Sequence, residues 1–455
     1  MAISIKKAWN TINEDLVISV QEAFTSGKIL KQINATAISV IPKTNHAVSL
    51  NYFRHVACCN VLYKIISKVI TNKLSPLLDK IISPNQSAFV PNRSIAYNIM
   101  LAHELVKNYH CSKGYPRCLL KIDLRKPTIR LPGIILRRVG DSFVSGKGLR
   151  QGDPISPLIF VICMEALSRK LSITSSEFKF HQGCGSLNIN HLIFVDDLLL
   201  FCYDENSKTV IKNALCFEEG SLPLRYLRIP LISTNLSRQD CKGIIDKITS
   251  RILSWNINFL SYASRVQLIQ SVLMSMQIFW ASILILPKKV IREIQKICSK
   301  FLWSGKADGK NKAMVAWKEI EKLKKEGGLS IKEMGIWNWE AVNKHVWYIM
   351  SKPNALWVKW IKYNKLKNVS YWGAKNDNYT SWMWRGLLSI KNDINSISDY
   401  ELGNGKSTMF WRDPWIHGCS VLEKYPRVKM GSSGIGKEAL VANLWKDNKW
   451  SFSSF

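Results

Sequence analysis

Residues 191–201 read HLIFVDDLLLF, and this stretch decides the fold. Two adjacent carboxylates, Asp196 and Asp197, separate two apolar runs. Strand-like runs joined by a two-residue polar turn predict a β-hairpin with buried flanks and an acidic tip that faces a ligand. Because burying an ion costs several kcal/mol, paired carboxylates in apolar surroundings favour a bound cation. An ordinary tight turn is the alternative interpretation of this stretch alone.

The composition indicates a globular, strongly basic protein. The chain has 455 residues, of which 47% are hydrophobic, so it can form two or three domains with sizeable cores. Its 64 Lys and Arg outnumber 33 Asp and Glu and give a formal charge of +31. Such an excess suits a polyanionic partner, because each phosphate that is neutralised releases counterions. Charge alone does not distinguish RNA from DNA or from an acidic membrane surface.

The cysteines and the N-terminus indicate an intracellular protein. The eleven cysteines include no pair spaced as C-x2-C, which argues against a zinc ribbon and against a disulfide scaffold. The first residues, MAISIKKAWNTINEDL, lack the apolar core of a signal peptide. We therefore expect a protein that is not secreted and that resides in the nucleus or the cytoplasm.

One uncharged stretch is long enough to cross a bilayer. Residues Val266 to Pro287 contain no charged side chain, yet glutamines and serines interrupt the run. Because polar groups are costly in lipid, a buried helix is favoured over a membrane span.

Helical and strand patterns lie on both sides of a loop rich in polar residues. Leu62 to Ile82 repeats apolar residues every three or four positions, which predicts a helix. Ser83 to Asn98, SPNQSAFVPNRSIAYN, predicts a loop and a helix start, with Arg93 as a phosphate or base contact. Leu119 to Leu124, LLKIDL, predicts a strand with Asp123 near its end.

A glycine-containing loop leads into the next predicted helix. Gly146 to Phe160, GKGLRQGDPISPLIF, joins this loop to the apolar helix Leu158 to Leu171. Gly148 and Gly152 permit close approach of the backbone to a ligand, and the helix start that follows favours anions.

In this order the motifs resemble the reverse transcriptase of plant non-LTR, LINE-type, retrotransposons. The residues that carry the resemblance are NQSAFVPNRSI, KIDLRK, KGLRQGDPISPLIF and FVDDLLLF, followed by LPLRYLRIPL and FLSYASRVQLIQSVLMSMQIFWASILILPKKV. The resemblance extends along essentially the whole chain. It implies an α+β fold: a right-hand polymerase-like palm with a small antiparallel sheet, helical fingers and a mostly helical C-terminal half.

The resemblance also implies a division of the chain. Residues 1–115 would be the fingers, 116–205 the palm and 206–365 a helical thumb-like and connecting region. Residues 366–455 would be a Trp-rich region that begins a truncated zinc-binding-like segment. Of the 17 tryptophans only Trp9 precedes Trp255, so the composition of the chain changes after the palm, which supports a domain boundary there. These tryptophans either stack on bases or fill helix cores.

By resemblance, Asp123 and Asp196 would be the principal ligands of two Mg²⁺ ions, with Asp197 adjacent. Such ions stabilise the oxygens that enter and leave when a primer hydroxyl attacks a nucleotide. The partners would be an RNA template, a DNA primer or RNA–DNA duplex, and deoxynucleoside triphosphates.

Five further residues would form the template and nucleotide contacts that the resemblance implies. They are Arg54, Arg93, Arg150, Gln151 and Gly152.

Departures from the family pattern predict weak or absent activity. Pro127 and Thr128 stand where the family has an alanine and an aromatic residue that excludes a ribose hydroxyl. The intervals from Asp123 to Arg150 and from Phe201 to Leu222 are shorter than in the family. By the same resemblance the first residues lie inside the polymerase region, so we expect that this polypeptide does not prime its own insertion with the family's N-terminal endonuclease. A catalytically dead nucleic-acid-binding relic is one alternative, and a maturase related to group II introns is another.

Overall fold

The computed structural model describes most of the chain. The described ranges are residues 7–43, 48–49, 52–111, 117–124, 149–174, 178–203, 220–255, 260–305, 313–352, 354–367, 369–376, 380–446 and 449–451. Pro127, Thr128 and most residues of both shortened intervals lie outside them.

Helices account for most of the regular structure. They are α1 (Trp9–Ser26), α2 (Lys31–Asn34), α3 (Val61–Leu74), α4 (Leu78–Ile81), α5 (Ile95–Leu105), α6 (Ser156–Ser172), α7 (Lys242–Leu253), α8 (Tyr262–Leu268), α9 (Met274–Ala281), α10 (Lys288–Ser304), α11 (Trp317–Glu321), α12 (Met334–Ser351), α13 (Leu356–Ile361), α14 (Trp382–Ser389), α15 (Lys391–Ile397), α16 (Val421–Lys424) and α17 (Val441–Leu444).

The strands form small antiparallel sheets. They are β1 (Thr36–Pro42), β2 (Phe53–Cys59), β3 (Cys118–Asp123), β4 (His191–Phe194), β5 (Asp197–Cys202), β6 (Leu224–Tyr226), β7 (Ile229–Leu231), β8 (Trp445–Lys446) and β9 (Lys449–Trp450). The pairs are β1–β2, β6–β7 and β8–β9, and β3–β5–β4 is three-stranded. The mixed α+β class is confirmed.

The chain divides into two compact units. The first contains residues 1–95, 118–180 and 188–202, and the second contains residues 96–117, 181–187 and 203–455. The fourfold division into fingers, palm, thumb-like and Trp-rich regions stays a prediction.

The first unit is organised around the β3–β5–β4 sheet. All its strands are antiparallel, and β5 lies in the centre. One face packs on α6, where Phe160 and Met164 contact Ile193 and Leu198. Helix α6 begins with proline in its first turn, a position at which the missing N–H costs nothing. The strand predicted over Leu119–Leu124 and the helix predicted over Leu158–Leu171 are confirmed as β3 and α6. The strand β3 extends the sheet at its edge, and the helix covers one face of the sheet.

The loop Ser83 to Asn92 extends the same sheet at its edge. The amide of Ile193 donates to the carbonyl of Asn85 at 2.9 Å, and the amide of Ser87 donates to the carbonyl of Ile193 at 3.2 Å. The NQS segment therefore runs along the outer edge of β4 and satisfies backbone groups that an edge strand leaves open.

The second unit is mostly helical. Helix α10 buries one face through Val290, Ile294, Cys298 and Phe301, at the spacing of an amphipathic helix, and it ends at Gly305 in the left-handed conformation. Asn338 of α12 donates to the carbonyl of Ala281, the last residue of α9, and to that of Leu284 beyond it, and it accepts from the amide of Leu286.

The uncharged stretch from Val266 lies in α8, α9 and the π-helical turn between them. Ile269, Leu273 and Met274 are buried there, which confirms the expected buried helix. Among the described residues, no helix has the length and apolar character that a membrane crossing needs.

Several tryptophans fill cores in the second unit. Trp357, Trp384 and Trp411 are almost fully buried. Trp411 belongs to a C-terminal cluster with Phe410, Val421 and Val441. For these three side chains the core-filling interpretation is confirmed.

Candidate active site

Asp123 and Asp197 lie side by side on the sheet of the first unit. They are register partners in the antiparallel β3–β5 pair. The amide of Leu124 donates to the carbonyl of Asp196 at 3.1 Å, so the neighbouring positions are hydrogen-bonded and Asp123–Asp197 is a non-hydrogen-bonded pair. In such pairs the side chains are closest, and both carboxylates project from one face.

This face is the one that α6 does not cover. Ile122, Ile193 and Leu198 pack toward the helix, and alternation along the strands places the aspartates on the opposite side. Asp123 is exposed, whereas Asp196 and Asp197 are half-buried. The sequence therefore predicted correctly that the hairpin carries carboxylates between buried flanks.

The turn lies one residue earlier than the sequence suggested. Val195 and Asp196 form it, and Asp197 is the first residue of β5. The expected turn at Asp196–Asp197 is wrong, because pairing with both β3 and β4 holds Asp197 in the strand. Val195 has φ +57°, a strained conformation for a β-branched residue.

Lys121 is a charged neighbour that the sequence interpretation missed. Its Nζ lies 3.9 Å from Oδ1 of Asp197. Burial raises the pKa of Asp197, Lys121 lowers it, and the carboxylates of Asp196 and Asp123 raise it further. The period-two spacing of Lys121 and Asp123 was a usable signal, because it places both on one face.

The carboxylate oxygens on this face meet part of what a Mg²⁺ site requires. Mg²⁺ prefers oxygen ligands and is commonly bound through one or two carboxylates together with substrate phosphates. Asp123 and Asp197 can supply two such ligands. However, the described part of the chain contains no group of three or more His, Cys, Asp or Glu side chains arranged to hold a metal.

The loop Arg150–Asp153 docks on β2. The carbonyl of Gln151 accepts from the amide of Ala57 at 2.7 Å. Gly152 has φ +109°, and a Cβ there would lie 3.1 Å from the carbonyl oxygen of Ala57. The sequence predicted a close backbone approach to a ligand at Gly152, and the structure contains a close approach to β2.

Asp153 anchors this loop and was not identified from the sequence. Its buried carboxylate accepts from the hydroxyl of Tyr63 at 2.9 Å and from the hydroxyl of Ser67. Burial, followed by the hydrogen bond to Asp153, raises the pKa of Tyr63 to about 12. The sequence signal for this anchoring role was the position of Asp153 in RQGDP, shortly before a helix with proline in its first turn.

The predicted arginine contacts differ in their surroundings. Arg54 is exposed on β2. The guanidinium of Arg150 lies 4.9 Å from the centre of the Tyr63 ring, and its Nη1 is buried with no hydrogen-bond partner among the described residues. The neighbouring residues Gln151 and Gly152 are exposed to solvent.

The guanidinium of Arg93 forms hydrogen bonds within the protein. It donates to the carboxylate of Asp79 at 3.0 Å and to the carbonyls of Ser83, Ile82 and Gln86 at 2.5–2.8 Å. These bonds fix the loop that extends the β4 edge. Its contact with template stays a prediction, and it would require exchange of these bonds.

A buried polar cluster supports the hairpin from within. His191 is fully buried, and its Nε2 lies 2.8 Å from the hydroxyl of Ser168 on α6. Burial lowers the pKa of His191 to about 4. Its Nδ1 lies 2.6 Å from the amide oxygen of Asn190. The cluster thus joins β4 to α6 by polar contacts as well as by apolar packing.

Comparison with known proteins matches one part of the chain to a family. Residues 41–218 match the family model described as "Reverse transcriptase (RNA-dependent DNA polymerase)". An Arabidopsis thaliana protein that bears a ribonuclease H name is 26% identical over 200 residues, which cover 43% of this chain and 32% of that protein. The transposon TX1 uncharacterized 149 kDa protein of Xenopus laevis is 25% identical over 188 residues, which cover 34% of this chain and 14% of that protein.

A third relative is a retrovirus-related Pol polyprotein from the type-2 retrotransposable element R2DM of Drosophila melanogaster. It is 23% identical over 207 residues, covering 38% of this chain and 19% of the relative. The chain thus spans about a third or less of the length of these three proteins. Residues 41–218 therefore match a reverse transcriptase domain, and the relatives support a domain of the kind found in non-LTR retrotransposon proteins.

Proposed function

We propose that this chain is a nucleic-acid-binding reverse transcriptase relative whose nucleotidyl-transfer activity is weak or absent. The observation that carries the proposal is the cross-strand pair Asp123 and Asp197 on the uncovered face of the β3–β5–β4 sheet. This pair supplies carboxylates where template-directed synthesis needs divalent cations. Asp196, in the adjoining turn, is the third carboxylate of the proposed site.

Asp123, Asp196 and Asp197 are the residues that would hold Mg²⁺, as two ions in an active enzyme. Bound Mg²⁺ stabilises charge on the attacking and leaving oxygens of phosphoryl transfer. The contribution of the protein is to fix these carboxylates at the end of a buried hairpin. Catalytic groups must be held within about 0.5 Å of their productive positions, so the precision of this frame sets the rate.

Two features support weak activity. Lys121 places an ammonium group beside Asp197, where it competes with a metal ion for the same carboxylate. The sequence also has Pro127 four residues after Asp123, and proline fixes its own φ and lacks a backbone donor. A misplacement of about 1 Å can reduce a rate roughly a hundredfold.

The substrate contacts belong to the same proposal. Arg54 and Arg150 would contact template or nucleotide, and Gln151 with Gly152 would shape the pocket beside them. The unpaired Nη1 of Arg150 supports this role, because a buried donor without a partner favours an added acceptor.

The partners would be an RNA template, a DNA primer or RNA–DNA duplex, and deoxynucleoside triphosphates. The formal charge of +31 supports binding through phosphates. We place the protein in the nucleus or cytoplasm, because its sequence lacks the cysteine spacing of a disulfide scaffold.

Primer extension tests the catalytic part of the proposal. The full chain is incubated with a DNA primer on an RNA template, Mg²⁺ and deoxynucleoside triphosphates, beside an active reverse transcriptase. The Asp196→Asn variant is the matched control, because it removes one charge and keeps the shape of the side chain. We expect extension at the background of that variant. Clear synthesis by the unaltered chain that the substitution abolishes would contradict the proposed loss of activity and would identify the site.

A further inference from the structure

A cleft in the second unit is lined by donors of hydrogen bonds. Its volume is about 300 Å³. The lining includes basic residues, hydroxyl groups and side-chain amides, among them Lys107, Ser233, Asn235 and Arg385. No aspartate or glutamate belongs to the lining within the part of the chain that the structure describes. The cleft therefore offers positive charge and hydrogen-bond donors without a competing surface carboxylate.

Two side chains of α14 in this cleft have a buried donor without a partner. The donors are Nε1 of Trp382 and Nε of Arg385, neither of which has a hydrogen-bond acceptor among the described residues. Both residues belong to α14 and are three positions apart, so they lie on one side of that helix. Unsatisfied buried donors are rare in proteins and commonly mark an ion or water that completes them.

The remaining bonds of Arg385 leave its charge uncompensated. Its Nη2 donates to the amide oxygen of Asn235 at 3.0 Å, a neutral acceptor that orients the guanidinium. No carboxylate forms an ion pair with Arg385 in the described ranges. Because a guanidinium is always charged, an oriented one without a carboxylate is a suitable partner for an anion.

The buried carboxylate that contacts the cleft residue Ser381 already pairs with a lysine. Glu104 accepts from the hydroxyl of Ser381, which is the N-cap of α14, and its Oε2 lies 3.3 Å from Nζ of Lys365. Both side chains of this ion pair are largely buried. The N-terminus of α14 borders the cleft through Ser381 and Trp382, and it is the positive end of the helix dipole.

We propose that this cleft binds a phosphate group through Arg385 and Trp382. A phosphate offers only acceptor oxygens, accepts several donors at once and matches the fork of a guanidinium. The phosphate comes either from a free polyphosphate, such as pyrophosphate or a nucleotide, or from the backbone of a nucleic acid. The site adds to the proposed polymerase function and does not depend on it.

Calorimetric titration of the full chain with pyrophosphate in EDTA tests the inference. EDTA removes divalent cations, so binding through the metal site of Asp123 and Asp197 does not contribute. We expect Arg385→Gln to weaken binding about tenfold or more, and Trp382→Phe, which removes the donor and retains an aromatic ring, to weaken it severalfold. The matched control is Arg292→Gln. Arg292 is an exposed residue of α10, so its substitution should leave the affinity for pyrophosphate unchanged.

Two results would overturn the site. One is equal affinity of the unaltered chain and Arg385→Gln, and the other is an equal loss in Arg292→Gln, which would show attraction by net charge alone. The midpoint of thermal unfolding is measured for each variant. If Arg385→Gln unfolds, Arg385→Lys replaces it, because lysine keeps the charge and loses the fork; we then expect a severalfold loss, and unchanged affinity overturns the proposal.

Competition identifies the source of the phosphate. A fluorescent single-stranded oligonucleotide is bound to the chain in EDTA, and pyrophosphate is added. Displacement that requires Arg385 assigns the cleft to nucleic-acid backbone as well as to free phosphate. Retention of the oligonucleotide, with pyrophosphate bound, assigns it to the free ligand. Failure of pyrophosphate to bind at all overturns the inference, whatever the primer-extension result.

Discussion

Removal of the Asp153 carboxylate should destabilise the part of the first unit that holds the RQGDP loop. Asp153 accepts from Tyr63 and Ser67 on α3, and the three residues join that helix to the loop. A hydrogen bond to a charged group contributes about 1.5–3 kcal/mol. Two such bonds are lost in Asp153→Ala, and the buried Ser67 hydroxyl loses the acceptor for its proton, although its oxygen still accepts from the amide of Ile155. The substitution should therefore cost about 3–6 kcal/mol.

Native-state hydrogen exchange with mass spectrometry measures this cost where it occurs. Tryptophan fluorescence is a poor probe for the first unit, because among the tryptophans of the chain only Trp9 belongs to it. We expect faster exchange in peptides that cover residues 53–67 and 149–160. Tyr63→Phe removes one of the two bonds and should show about half the effect. Ser67→Ala also removes the acceptor of the Ile155 amide and should show more than half.

A double-mutant cycle and a surface control complete the test. Tyr63→Phe should cost little once Asp153 is alanine, because residues in one hydrogen-bond network are not additive. Arg54→Ala, at an exposed position of β2, should leave the exchange of both peptides unchanged. A cost below about 1 kcal/mol for Asp153→Ala, or full additivity with Tyr63→Phe, would refute the reasoning.

Two more predictions concern pH and salt. Burial lowers the pKa of His191 from 6.5 to about 4, so between these values the unfolded chain binds a proton at His191 that the native chain does not. His191 should therefore contribute up to about 3 kcal/mol to the fall in the free energy of unfolding as pH drops from 6.5 to 4, beside the buried His103, His181 and His345, whose pKa values are lowered in the same way. Denaturant titrations should show a shallower fall in His191→Gln, and an identical fall would contradict the assignment. Filter binding of an RNA–DNA duplex should weaken steeply as salt rises from 50 to 200 mM, by roughly a thousandfold if about six phosphates are contacted, with little sequence preference; a flat response would contradict phosphate-driven binding.

Sequence patterns sufficed for the elements that carry the carboxylates. Apolar runs on both sides of Asp196 predicted the hairpin, and LLKIDL predicted the third strand. These elements depend on local periodicity and burial, which a single sequence records. The turn was misplaced by one residue, because the choice between Val195–Asp196 and Asp196–Asp197 depends on register with β3 and β4. Long-range pairing decided against the polar turn and left Val195 with positive φ.

The roles of single polar residues were harder to predict for the same reason. Asp153 contacts Tyr63, 90 positions away in the chain, and Lys121 contacts Asp197, 76 positions away. No local sequence pattern identifies partners at such separations. Gly152 was correctly associated with close backbone approach, but the group that approaches is the carbonyl of Ala57. The guanidinium of Arg93 bonds to Asp79 of α4 and to the loop that follows this helix, a role that the sequence alone could not distinguish from a contact with phosphate.

The adjacency of Asp123 and Asp197 is tested most directly by a disulfide between these positions. In a non-hydrogen-bonded antiparallel pair the Cα atoms lie about 4.5 Å apart, within the range that a disulfide spans. We predict that Asp123→Cys with Asp197→Cys forms a disulfide on mild oxidation, identified by mass spectrometry of the linked peptides beside the native cysteines. The control, Asp123→Cys with Leu198→Cys, places its sulfurs on opposite faces and should remain reduced. Linkage of the control pair, with the 123–197 pair reduced, would contradict the register and with it the proposed carboxylate site.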